Sequence, residues 1–117
     1  MLELYRIKDT NFECLYWAHS TEHALDKYKS NRYPECPIAE KVLTDQGYPI
    51  IRLRDVPVGS YFHRIARKDG EYCEHSVVWC KGEYDRSTKK WFCHKFEDVN
   101  HSRLCRGEEM VTIDFTF

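Results

Sequence analysis

Apolar and polar residues alternate along this chain at two different spacings. In LELYRIK, Leu2 and Leu4 alternate with Glu3, the period of two that marks a strand, although Tyr5 and Ile7 blur which face is buried. Asp9-Thr10-Asn11 is turn material, and the aromatic run FECLYWA (12–18) is a second strand, so residues 2–18 predict a hairpin. The spacing then becomes helical. Ser20 is an N-cap and Glu22 lies in the first turn, where the helix dipole favours an anion. Ala24, Leu25 and Tyr28 form a narrow apolar stripe, and Lys27 and Lys29 fall in the last turn, which predicts a helix over 21–30.

RYPECP (32–37) interrupts the pattern. Residues 37–47 predict a second short helix, with Pro37 at its first position, Ile38 and Val42 on one face and Gly47 as its stop. The competing reading is an irregular stretch ending in a strand. From residue 50 the pattern is all β: strands over 50–54 and 60–65, a loop with Asp69-Gly70, strands over 75–84 and 89–96 around the loop DRST, a short strand SRLC, and a last strand MVTIDFTF. That last strand places Val111, Ile113, Phe115 and Phe117 on one face. The fold class expected is α+β: a small antiparallel sheet, curled and barrel-like, with an N-terminal β-hairpin and one or two short helices. One domain spans 1–117, with a ββα segment over 1–47, an all-β segment over 50–117 and a seam between Gly47 and Asp55.

Composition narrows the partners. The 18 Lys and Arg nearly balance 19 Asp and Glu, so no global field holds a polyanion, and nucleic-acid binding needs a local patch. The 42% hydrophobic content supplies a core. No apolar run has the length of a secretory signal or a membrane span, so the expected location is cytoplasmic, with no membrane partner. The six cysteines are then expected as thiols.

The densest chemistry is VVWCKGEYDRSTKKWFCHKF, residues 77–96. Single-strand binders set aromatic rings in a basic groove. Lys81, Arg86, Lys89, Lys90, Trp91 and Lys95 are therefore the candidate nucleic-acid or partner surface. If Val78, Cys80 and Phe92 face inward, then Trp79, Lys81, Trp91 and Cys93 lie on the other face, under the N-terminal helix. Cys80 and Cys93 are read as buried apolar residues facing each other across the hairpin. Cys73, His75 and Cys80 are the closest approach to a metal set, but no Cys-x-x-Cys occurs, so no metal and no cofactor is expected. His19 and His23 are four residues apart, but His19 precedes the N-cap. No nucleophile elbow, phosphate loop or Gly-rich turn is present, so no enzymatic activity is expected.

Asp55, Gly59 and Phe62, followed by the charged hairpin and by Val111 and Phe115, resemble a pattern of small uncharacterised proteins of phages and bacterial mobile elements. The resemblance covers the C-terminal half. It implies a β-rich fold and a mobile-element source, and it brings no activity. The expected function is a non-enzymatic accessory factor that binds a protein. The alternative is a nucleic-acid-binding β-barrel working through the hairpin, and a Cys/His metal site or enzyme is the third reading.

Overall fold

A computed structural model describes residues 2–10, 12–31, 35–98 and 100–113. Strands β1 (Glu3–Asp9) and β2 (Phe12–Ala18) form the expected hairpin. Helix α1 (Thr21–Asn31) follows, and Ser20 Oγ accepts the His23 N–H at 3.1 Å, as an N-cap does. Ala24 and Tyr28 of α1 pack on Tyr5, Ile7 and Ala18, a first buried cluster.

The second helix is not formed. Ile38–Lys41 is strand β3, which pairs antiparallel with β1 from Tyr5↔Lys41 to Lys8↔Ile38. The physical reason is the open edge of β1. Pairing there satisfies backbone groups, whereas a helix carrying only Ile38 and Val42 as apolar anchors buries little. Ile38 remains 65% exposed, while Val42 is buried and donates its N–H to Leu4 O at 3.0 Å.

The second half forms a six-stranded antiparallel sheet in the order β4-β9-β5-β6-β7-β8. Its strands are β4 (Ile51–Arg52), β5 (Tyr61–Lys68), β6 (Glu71–Asp85), β7 (Lys90–Lys95), β8 (Ser102–Arg106) and β9 (Met110–Thr112). The sheet is open, so the curled, barrel-like expectation is corrected. β4 and β8 are its two edges, and β4 ends after two residues in a 3₁₀ turn, Leu53–Asp55. That turn crosses the sheet face, where Leu53 and Val56 join Ile51, Phe62, Trp79, Cys93, Cys105 and Val111 in the main core. Asp69 and Gly70 at positive φ (51° and 79°) make the tight β5–β6 turn. Val111 is buried and Ile113 packs on the core as expected, whereas Phe115 and Phe117 lie outside the described residues.

The facing expected for the β6–β7 hairpin is reversed. Trp79, Lys81 and Cys93 point into the core, and Phe92 is 48% exposed. Cys80 faces His94 rather than Cys93, and Cys93 faces Lys81. A bulge between Lys81 and Tyr84 shifts the register beyond Lys81, so that Tyr84 rather than Glu83 lies opposite Trp91. Gly82 sits in that bulge, where a β-carbon would stand 2.6 Å from Phe92 O. Helix α1 covers the small sheet and not this face, which the 51–56 segment covers instead.

A third cluster joins the two sheets. Leu4, Val42, Ile50 and Tyr72 are buried together with Trp17, Ile65 and Met110 packed around them. The Leu4 N–H donates to Ile50 O (2.9 Å) and the Thr44 hydroxyl to Glu74 Oε2 (2.6 Å), so the halves make one unit. Among the described residues no helix is long and apolar enough to cross a membrane.

Candidate functional site

Beyond the main core, the same face of the large sheet opens into a basic cleft. Strand alternation decides which residues reach it. Trp79 of β6 lies opposite Lys95 of β7, and Arg103 of β8 lies opposite Cys93, so all point to one face. Lys95 Nζ and Arg103 Cζ each lie 6.0 Å from the Trp79 ring centroid. The His101 ring stands at 5.9 Å and 66° to the same indole. Arg64 of β5, His75, Val77 and Leu104 complete a cleft of about 450 Å³. Trp79 itself is 6% exposed, so it is a floor rather than a free stacking ring.

The cleft is electrostatically one-sided. Its described lining contains no carboxylate. The nearest neutralisation is Glu109, whose Oε1 lies 2.9 Å from Arg64 NH2. Arg64 Nε is buried and has no hydrogen-bond partner among the described residues. His75 reaches the cleft because the β5–β6 register shifts between His63 and Ile65, and His63 Nδ1 donates to the His75 carbonyl at 2.6 Å.

The six expected surface residues go to three places. Lys95 enters the cleft. Arg86, Lys89 and Lys90 stay at the hairpin tip, where Asp85 accepts hydrogen bonds from Ser87 and Thr88 that hold its carboxyl below the usual range. Lys81 is interior, 2% exposed, with Nζ 2.6 Å from Val56 O, 3.2 Å from Arg54 O and 3.6 Å from the Trp91 ring centroid. Burial pushes its pKa down. Lys81 is therefore no surface contact; it ties the 54–56 segment to the sheet. Trp91 is half-buried, with Lys81 over its ring and Tyr84 beside it.

Trp79, His101 and Arg103 are cleft residues that no local sequence pattern marks. The available signal was the β6–β7 pairing, which sets Trp79 opposite Lys95. His101 and Arg103 belong to β8 and its lead-in, whose pairing with β7 no local pattern announces.

The Cys and His candidates do not converge. Cys73 is half-buried, His75 is exposed in the cleft, and Cys80 faces away on the side opposite Trp79. Among the described residues no three Cys, His, Asp or Glu side chains come together to hold a metal ion. His19 and His23 stack with ring centroids 5.2 Å apart, and His23 Nδ1 accepts the His19 backbone N–H at 3.0 Å, which occupies that ring nitrogen. Cys93 and Cys105 are buried side by side; their mutual hydrogen bond, then burial, pushes the Cys93 thiol well above its ordinary value.

The fold and cleft thus define an α+β protein of two antiparallel sheets with a basic cleft on the larger one. No family model matches the chain, and neither a curated protein nor a solved structure is found to be similar to it.

Proposed function

We propose that this chain is a non-enzymatic binding protein that holds an anionic polymer, single-stranded nucleic acid, in the Trp79 cleft. The observation that carries the reading is the gathering of Arg64, Lys95 and Arg103 from three strands, with His75 and His101, around one indole without an intervening carboxylate. Cations so arranged neutralise phosphates, and imidazole edges with Val77 and Leu104 offer contacts to unpaired bases. A cleft of about 450 Å³ suits one or two nucleotides rather than a duplex. The near-zero net charge predicts modest, salt-sensitive affinity. The setting expected from the resemblance, a small accessory factor of a phage or mobile element in the bacterial cytoplasm, is part of this proposal.

A protein partner draws less support. Exposed Leu15 and Ile38 are interleaved with Arg6, Lys8 and Glu40, which pair with one another. On those strands the apolar side chains stand singly, as on ordinary surface; on the large sheet the exposed Tyr61 and Phe96 rings form one edge-to-face pair, 5.2 Å apart.

The test is fluorescence anisotropy of a labelled single-stranded oligonucleotide and of a duplex, at low and physiological salt. The single strand is expected to bind more tightly, with binding lost in Lys95→Ala/Arg103→Ala and kept in Arg86→Ala/Lys90→Ala. Absence of binding at low salt overturns the reading and makes a protein partner, sought by pull-down, the next one.

A further inference from the structure

A second concave site lies at the other end of the large sheet. Tyr84 at the end of β6, Trp91 of β7, Arg54 of the 3₁₀ turn, Lys89 of the hairpin loop and Gly107 enclose a slot of about 300 Å³. Trp91 is four residues from Lys95 on β7, roughly 13 Å at the rise of a strand, and the buried Lys81, Cys93 and Cys105 lie between the slot and the Trp79 cleft. The two sites are distinct.

Four features of the slot point to one ligand chemistry. Tyr84 is 44% exposed, and its ring stands 4.9 Å from that of Trp91 at 56°, a wedge with an open side rather than a closed stack. The Trp91 Nε1 lies beside Gly107, 3.5 Å from where a β-carbon there would stand, and no hydrogen bond from that N–H is found among the described residues. Lys81 sits over the Trp91 ring at 3.6 Å, a cation–π contact that fixes the indole and the direction of its N–H. Lys89 forms no ion pair among the described residues, and Arg54, held by Glu108 through NH2 at 2.7 Å, keeps its other donors.

We propose that this slot binds a nucleotide unit, with the planar ring against Tyr84 and Trp91, a ring acceptor on the Trp91 N–H, and the phosphate between Lys89 and Arg54. An aromatic wedge alone takes any apolar ring, and two cations alone take any anion. Their placement on one slot of about this size selects a ring that carries a phosphate. Lys81 is a positioning residue here, because its Nζ holds both the Arg54 carbonyl and the Trp91 ring, one wall and the floor.

The test is NMR of the three tryptophan indole N–H signals, with that of Trp91 assigned through Trp91→Phe. Adenosine monophosphate, inorganic phosphate and a single-stranded oligonucleotide are titrated separately. Adenosine monophosphate is expected to move the Trp91 signal saturably and to leave Trp17 in place. Tyr84→Ala, an exposed change, is expected to weaken binding about tenfold, the size of one lost base–aromatic contact. A shift with the oligonucleotide alone assigns the nucleotide unit to a strand rather than to a free nucleotide. If neither ring-bearing probe moves Trp91, or if phosphate moves it as far, the proposal is overturned. The Trp79 signal reports the cleft separately: a response at Trp79 with none at Trp91 sinks the slot and leaves the cleft, and the converse does the reverse.

Discussion

Lys81 places its Nζ 3.6 Å from the centroid of the Trp91 ring and 2.6 Å from Val56 O, inside the core and away from any carboxylate within ion-pair distance among the described residues. An interior cation held by carbonyls and a π face trades desolvation for charge-assisted hydrogen bonds. Lys81→Met keeps most of the volume but leaves the Val56 and Arg54 carbonyls unpaired. The orphaned acceptors outweigh the relief of the buried charge here, because two carbonyls lose a donor at once. We expect a loss of about 1–3 kcal/mol, read by urea denaturation, with Trp91 emission changed in the folded state.

The same lysine gives a pH signature. Its pKa is lowered by burial from 10.5, so between the lowered value and 10.5 the unfolded chain binds more protons than the folded one. Stability contributed by this group therefore rises as pH increases through that window. The expected result is that the gap in melting temperature between wild type and Lys81→Met widens as pH rises toward 10.5. A constant gap sinks the assignment.

Asp9 acts in the same direction but in the acid range. Its carboxylate accepts the Cys36 N–H at 2.8 Å, the Tyr28 hydroxyl at 2.8 Å, and the N–H groups of Thr10 and Glu35 at 2.8 and 3.1 Å. Those bonds, that from Cys36 foremost, hold its pKa far below the usual carboxylate range. A depressed carboxyl contributes stability that is complete above the unfolded value of 3.8 and is lost as pH falls below it. Melting temperatures between pH 7 and pH 2 are expected to converge for wild type and Asp9→Asn as pH drops. Parallel curves contradict the network.

Local chemistry was legible in the sequence and long-range pairing was not. The β1–β2 hairpin and α1 follow from alternation, a turn and the Ser20 cap, all within a few residues of one another. β3 was missed because its reason for being a strand is the edge of β1, about thirty residues earlier, a contact no local window contains. Trp79, Lys81, Trp91 and Cys93 share one face of the β6–β7 hairpin, as alternation shows, but which face meets the core depends on the 51–56 segment that covers it, a contact no local window contains. The site suffered from the same gap. Lys95 was identified because it neighbours other cations in sequence, whereas Trp79, His101 and Arg103 meet it only through three-strand pairing.

Thiol reactivity follows from placement. Cys36 is exposed, Cys14 and Cys73 are half-buried, and Cys80, Cys93 and Cys105 are buried. The thiolate is the reactive form; burial raises the pKa of Cys80, and the hydrogen bond with Cys105, then burial, raise that of Cys93. Labelling of the native protein with a thiol reagent is expected to modify Cys36 first and to reach Cys93 and Cys105 only on unfolding, as read by peptide mass mapping. Early labelling of Cys93 contradicts the core as described.

The cleft makes a quantitative prediction about salt. Each phosphate neutralised on a single strand contributes about 0.7 to the slope of log affinity against log salt, so Arg64, Lys95 and Arg103 acting together predict a slope near −2. Lys95→Ala is expected to reduce its magnitude by about 0.7. Glu109→Gln is the more telling variant. Glu109 holds Arg64 NH2 at 2.9 Å and is the one carboxylate ion-paired to a cleft cation among the described residues. Removing its charge frees Arg64 of a competing anion, so affinity at low salt should rise severalfold while the slope stays near −2. A surface pair of no consequence to binding would leave the affinity unchanged. A fall in affinity would mean that Glu109 serves the cleft by positioning Arg64, and the count of phosphate contacts would drop from three to two.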